Sequence, residues 1–201
     1  MAGPLILAFD TSAAHCAAAL LSGDTVLAAR SEEMGRGQAE RLMPLLEELL
    51  AGAGKGWADL DAIGVGTGPG NFTGIRISVA AARGLALALG IPAVGVSGFD
   101  ARAVGEVLAP VWIAIEAPRA MVYLQRLGDG ATAPELRPVA DIDTLDAPVL
   151  WLSDLSGADM AARIAQVARD LRGAALPRPA PLYLRPADAA PMREAPPAIL
   201  S

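Results

Sequence analysis

The chain has 201 residues, 53% hydrophobic and 19% charged, which excludes an intrinsically disordered protein and is long enough to bury a core. Its net charge of −6 argues against autonomous nucleic-acid binding, which usually leaves a basic footprint. With one cysteine (Cys16) and one histidine (His15), it lacks the residues for an intrachain disulfide or a histidine–cysteine zinc cage, and we expect a cytoplasmic protein.

The first hundred residues predict three strands followed by alternating helices and strands. The predicted strands are 5–10, 15–21, 25–30, 60–66 and 93–96, and the predicted helices are 38–51 and 73–89. Pro44 fits the first helix if that helix begins near Arg41, which places the proline in its first turn. This order of elements is that of the ribonuclease-H-like fold, which also builds the lobes of the actin-like ATPase superfamily.

The second half gives a weaker pattern. It predicts strands at 111–116, 121–127, 149–152 and 182–184, and a helix at 157–172. We therefore expect an α/β protein of two ribonuclease-H-like lobes, residues 1–98 and a shortened lobe 99–185, with a mobile Pro/Ala-rich tail at 186–201. The longest apolar region, 79–96, is interrupted by Arg83, Gly90 and Pro92, so no membrane span or export signal is expected.

A glycine-rich loop separates the fourth strand from the second helix. It contains Gly66, Gly68, Pro69, Gly70 and Gly74. Such a loop at a helix N-terminus can hold phosphate, but this one lacks the Gly-Lys-Ser/Thr of a P-loop and the spacing of a dinucleotide fingerprint. The alternative is a structural loop that lets the helix pack close to the sheet.

Asp10 and Thr11, at the end of the first strand, are candidate nucleotide-binding residues. An aspartate at this position holds the metal–phosphate group in ATPases of the fold, and Glu116 is a conceivable second acid from the other lobe. The alternative is that Asp10 caps a turn. His15 is expected to be structural, and Cys16 buried and inert.

The helix 73–89 has two apolar stripes where a surface helix normally has one. Ile75, Val79, Ala82, Ala86 and Leu89 form the first stripe, and Ile77, Ala81, Gly84 and Ala88 form the second. The second stripe is covered either by the helix 38–51 of the same lobe or by a partner protein.

Four segments together resemble the TsaB (YeaZ) family. They are LAFDTS at 7–12, GTGPGNFTGIR at 66–76, GLALALGIPAVGVS at 84–97 and PLYLR at 181–185. The resemblance implies a non-catalytic scaffold subunit for tRNA modification. This subunit pairs with TsaD, which transfers a threonylcarbamoyl group to the adenosine beside the tRNA anticodon, and the ATPase TsaE joins the pair. ATP and a metal are then expected in the partner subunits, a homodimer when the chain is alone, and contact with tRNA only through the complex.

The resemblance also implies which residues form the partner interface. They lie on the two helices: Leu42, Leu45, Leu46, Leu49, Phe72, Thr73, Arg76, Ile77, Ala80, Ala81, Arg83 and Gly84. TsaD-like metal binding uses a His-x-x-x-His pair, and the matching residues 37–41 (GQAER) contain no histidine, so no catalytic or metal-binding residue is expected. The second lobe departs from the family, with Glu116-Ala117-Pro118 in place of Asp-Ala-Arg and Met121-Val122-Tyr123 in place of Glu-Val-Tyr. The alternative function is a small-molecule kinase or ATPase of the actin-like superfamily, using Asp10 and the loop 66–74.

Overall fold

The computed structural model describes residues 3–105, 110–151 and 155–185, which form two sheets with helices. The first sheet has five strands in the order β3-β2-β1-β4-β5. Its strands are β1 (Leu5–Asp10), β2 (His15–Ser22), β3 (Thr25–Glu33), β4 (Ala62–Gly66) and β5 (Ala93–Val96). β1 pairs antiparallel with β2 and parallel with β4, and all side chains of β1 and β4 are buried because both faces of the sheet are covered.

Two parallel helices cover one face of the first sheet. They are α1 (Gln38–Gly52) and α2 (Phe72–Leu89). Their buried side chains pack with Leu7 and Phe9 of β1 in one apolar cluster. Asn71 caps α2 by accepting a hydrogen bond from the backbone N–H of Gly74, and Gly90, in the left-handed conformation, ends the helix.

The second sheet has four strands in the order β8-β7-β6-β9. They are β6 (Val111–Ala117), β7 (Met121–Leu127), β8 (Glu135–Pro138) and β9 (Val149–Leu150). A short helix α3 (Gly98–Ala103) leads from β5 into this half, and its Phe99 is buried against Ile113 and Tyr123 of the second sheet.

The last helix, α4 (Gly157–Leu171), packs on the first sheet, although the sequence assigned this segment to the second lobe. Its Met160, Ile164 and Ala168 share a cluster with Ile6 and Ala8 of β1. The side chains of β1 alternate between the two faces of the sheet, so α4 buries the face opposite α1 and α2. A boundary at residue 98 therefore does not separate the cores of the two halves.

Most of the predicted elements are confirmed, and the differences have local causes. Helix α1 begins at Gln38, not near Arg41, so Pro44 lies in the helix interior. Pro44 is on the exposed side, where solvent can satisfy the carbonyl of Glu40 that has lost its donor. Residues 182–184 form no strand; a backbone hydrogen bond joins Leu182 N to Thr67 O at 2.8 Å. Leu152, in the predicted strand 149–152, and the predicted tail 186–201 lie outside the described residues.

Candidate functional site

A cleft of about 1170 Å³ lies between the two sheets, beside the ends of β1 and β4. Asp10 and Gly66 end these two parallel strands and line the cleft. Ile115, Glu116 and Tyr123 line it from the second sheet. In α/β sheets, ligands bind outside the carboxyl ends of the strands, so this cleft is the candidate small-molecule site.

The carboxylate of Asp10 is buried and already has several partners. Its Oδ2 accepts hydrogen bonds from Ser12 N at 3.2 Å and Ser12 Oγ at 2.9 Å, and it lies 2.9 Å from Nε2 of His15. These contacts are those of a turn-capping aspartate, as one of the two sequence interpretations expected. Ser12 and His15 therefore share one carboxylate oxygen of Asp10.

The glycine loop packs directly on the residues that follow β1. Thr11 Oγ1 donates to the carbonyl of Gly74 at 2.7 Å, and Asn71 N donates to the carbonyl of Ser12 at 2.6 Å. A Cβ at Gly74 would overlap the carbonyl oxygen of Thr11, so only glycine fits this position. Gly74 N donates to Asn71 Oδ1. Two amides of the loop are therefore occupied by acceptors of the protein itself, which leaves them unavailable to a phosphate.

The other loop residues of the prediction lie close to the same strand ends. Gly66, Gly68 and Pro69 are buried, and Gly70 is exposed. A Cβ at Gly66 would overlap Oδ1 of Asp10, so this glycine makes the room in which the carboxylate sits.

Arg102 of α3 is a charged residue of the cleft that the sequence did not reveal. Its Nη1 donates to the carbonyl of Gly98 at 3.1 Å, and its Nε has no hydrogen-bond partner among the described residues. Burial lowers the pKa of its guanidinium, and the nearby charge of Asp10 opposes that change. The predicted pattern could not find Arg102 because α3, which positions it, was not predicted.

The described residues contain no group of three or more His, Cys, Asp or Glu side chains placed to hold a metal ion. Asp10 and Glu116 both line the cleft, but Glu116 is exposed. Cys16 is fully buried, and burial raises the pKa of its thiol to about 11, so the nucleophilic thiolate is scarce at neutral pH.

The helix residues predicted to contact a partner fall into two groups. Four of them lie in the lobe's own core and are at most 3% exposed: Leu42, Leu45, Leu46 and Leu49. The prediction that these four contact a partner is corrected, because a side chain buried in its own core cannot reach one. Ile77 and Ala81 are half-buried against that core. The outer face of α2 consists of its exposed residues Thr73, Arg76, Ala80, Arg83, Gly84, Leu87 and Ala88.

Leu87 is 84% exposed on this outer face, although the sequence pattern did not predict it as an interface residue. A Cβ built on the neighbouring Gly84 meets nothing within 4 Å, so helix α1 does not cover this side of α2. By length and composition α2 could also cross a membrane, but core helices pass the same test, and the buried side of α2 packs on its own sheet.

An exposed cluster fixes Arg76 at the N-terminal end of the outer face. The ring of Phe72 stacks on Tyr183 with centroids 4.5 Å apart, and the guanidinium of Arg76 lies 3.9 Å above the Phe72 ring. Arg76 Nε donates to the hydroxyl of Tyr183 at 2.9 Å. Through Tyr183, the segment 181–185 therefore contacts the start of α2 and lies near the outer face, although the two are more than 100 residues apart in sequence.

A family model described as tRNA N6-adenosine threonylcarbamoyltransferase, TsaD, matches residues 30–179. This match covers most of the chain. The chain belongs to the TsaD family. A search of curated proteins finds no match.

Among solved structures, two proteins from Pseudomonas aeruginosa share this fold over 90% of the chain and 100% of their own length. One, described as an uncharacterized protein with similarity to peptidase YeaZ, is 29% identical with a TM-score of 0.70. The other, YeaZ, is 28% identical with a TM-score of 0.69. These matches confirm the resemblance to the TsaB (YeaZ) branch and the actin-like, ribonuclease-H-like fold class.

Proposed function

We propose that the chain is a non-catalytic scaffold subunit that pairs with a TsaD protein and supports threonylcarbamoyl transfer to the adenosine beside the tRNA anticodon. It acts in the cytoplasm, a TsaE ATPase joins the pair, and tRNA is reached only through the complex. ATP and the metal belong to the partner subunits. Without its partner, the chain forms a homodimer.

The observation that carries this proposal is the outer face of α2. A helix that exposes leucine and alanine residues beside a bare glycine offers a surface where another backbone can approach closely. The interface residues that we propose are the accessible ones of the original set: Phe72, Thr73, Arg76, Ile77, Ala80, Ala81, Arg83 and Gly84. Leu87 is added to them.

The cleft supports the non-catalytic part of the proposal. A kinase or ATPase of this fold would need Asp10 to hold a metal–phosphate group, whereas Asp10 is hydrogen-bonded to Ser12 and lies beside His15. In the glycine loop, the backbone N–H groups of Asn71 and Gly74 already donate hydrogen bonds to Ser12 O and to Asn71 Oδ1. The residues 37–41, which match the His-x-x-x-His pair of TsaD, contain no histidine. These features together favour a scaffold over an enzyme.

The pairing is tested by co-expressing the chain with a TsaD protein that carries the two histidines, followed by gel filtration. The two proteins should elute together, and Gly84→Arg should separate them, since the arginine fills the space that a partner needs. Gly173→Arg is the matched control, because a Cβ at Gly173 also meets nothing within 4 Å, but this residue follows α4 on the opposite face. Separate elution of the wild-type proteins under all nucleotide conditions would refute the proposal.

A further inference from the structure

Two opposite charges line the cleft without pairing with each other. Asp10 ends β1 and Arg102 belongs to α3, and both side chains line the cleft. Burial lowers the pKa of the Arg102 guanidinium and the charge of Asp10 opposes this change, so the two groups lie close enough to act on each other. Within the described part of the chain they form no ion pair. A gap therefore separates a carboxylate from a guanidinium in the same cleft.

The carboxylate of Asp10 uses only one of its two oxygens within the described residues. Its Oδ2 contacts Ser12 and His15. Its Oδ1 accepts no hydrogen bond there, and it lies over Gly66, where a Cβ would overlap it. Oδ1 is not one of the fully buried side-chain atoms that lack a partner, so it faces open space. Such an oxygen can accept a hydrogen bond from the cation of a ligand.

The guanidinium of Arg102 also has a nitrogen that is open to a ligand. Its Nη1 donates to the carbonyl of Gly98 at 3.1 Å, and its Nε is buried without a partner among the described residues. Nη2 donates no hydrogen bond to them either, but it is not fully buried, so it faces open space. A partly buried guanidinium without a carboxylate partner is costly. Arg102 therefore favours an anion that comes from outside the chain, and a carboxylate is a strong acceptor for it.

The other charges of the cleft argue against a polyanionic ligand. Apart from His15, the charged side chains that line it among the described residues are two acids and two arginines: Asp10, Glu116, Arg102 and Arg185. A nucleoside triphosphate would bring several negative charges to this balanced set. Two amides of the glycine loop that could hold its phosphates are already occupied. A ligand with one charge of each sign fits the cleft better.

Apolar side chains form the wall of the cleft beside Arg102. A Cβ built on Gly98 would lie 3.2 Å from Ile115 Cδ1 and 3.2 Å from Arg102 Nη1, so the isoleucine borders the guanidinium. Met160 and Ile164 of α4 add further apolar surface to the lining. Apolar walls with a few well-placed polar groups are typical of small-molecule sites.

We infer that the cleft binds a small zwitterion, an α-amino acid with an uncharged, apolar side chain. The ammonium group of the ligand donates to Asp10 Oδ1, and its carboxylate accepts from Arg102 Nη2. Its side chain contacts the apolar wall that contains Ile115. This site lies within the chain itself, so binding does not require the pairing with TsaD, and it adds a ligand to the scaffold without adding a reaction.

Calorimetric titration of the full chain with L-leucine tests this site. L-leucine should bind, whereas L-leucinamide and N-acetyl-L-leucine should each bind at least about tenfold more weakly, because each lacks one of the two charges that Arg102 and Asp10 recognise. L-alanine should also bind more weakly, since its methyl group covers less of the apolar wall. All four ligands are compared on the unchanged chain, so these results do not depend on how well a variant folds.

A variant of the guanidinium gives the second measurement. Arg102→Gln keeps a hydrogen-bond donor but removes the charge, and it should weaken binding of L-leucine at least about tenfold. Arg178→Gln is the matched control, because Arg178 is exposed and is not one of the described residues that line the cleft. It should bind L-leucine as the wild type does. Urea unfolding of both variants checks that they are folded at the temperature of the titration.

Four outcomes would overturn the inference. The first is that the wild type shows no binding of L-leucine at millimolar concentrations. The second is that L-leucinamide or N-acetyl-L-leucine binds as tightly as L-leucine, which would mean that one of the two charges is not recognised. The third is that a folded Arg102→Gln binds as tightly as the wild type. The fourth is that magnesium ATP binds and L-leucine does not, which would assign the cleft to a nucleotide.

Discussion

The cleft beside the ends of β1 and β4 and the outer face of α2 differ in how many of their groups already have a partner within the chain. Asp10 and Asn71 of the cleft, and the buried Thr11 between them, are joined to neighbouring residues by short hydrogen bonds. On the outer face, Leu87 is exposed and Gly84 has open space beside it. The motif residues therefore build the fold here, while the alanine, glycine and leucine residues of α2 form the surface that we propose for a partner.

The largest expected effect is a contrast between two glycines of α2. Gly74→Ala should lower the free energy of unfolding by about 3 kcal/mol, because the new Cβ overlaps the carbonyl oxygen of Thr11 in a packed region. Gly84→Ala should raise it by about 1 kcal/mol, because alanine is the better helix former and has room. Urea unfolding of both variants measures the difference. Equal effects of the two substitutions would show that the two regions are not packed differently.

The sequence predicted the first sheet well because its strands are short apolar runs bounded by turn residues, as in 5–10 and 93–96. It missed β8 because Glu135–Pro138 contains two charged residues and a proline, and it misplaced α4 because a helical stripe does not say which sheet it covers. It assigned Leu45 and Leu46 to an interface because a core stripe and an interface stripe share the same spacing. Tyr183 and Arg102 could not be placed, since their contacts depend on tertiary structure.

An effect of intermediate size is expected from replacing the carboxylate of Asp10, which lines the cleft. Asp10→Asn should lower the free energy of unfolding by about 2 kcal/mol, because the buried carboxylate holds Ser12 and His15 and an amide holds them less well. Pairing with TsaD should remain unchanged, since Asp10 lies away from the outer face. Calorimetric titration with magnesium ATP provides the opposing test: micromolar binding by the wild type that is lost in Asp10→Asn would favour the kinase or ATPase alternative.

The smallest effect on stability is expected at Leu87. The same substitution should clearly weaken pairing with TsaD. Leu87→Ala should change the free energy of unfolding by less than about 0.5 kcal/mol, because the side chain is already exposed. It should weaken pairing with TsaD by about 2 kcal/mol if a partner buries this leucine. Leu27→Ala is the matched control, because Leu27 is also exposed but lies on β3. Comparable losses of pairing in both variants, or a loss in neither, would mean that the outer face of α2 is exposed to solvent and does not bind the partner. A loss in Leu87→Ala alone would separate the partner surface from the rest of the exposed apolar residues, because the two substitutions remove the same atoms at two exposed sites.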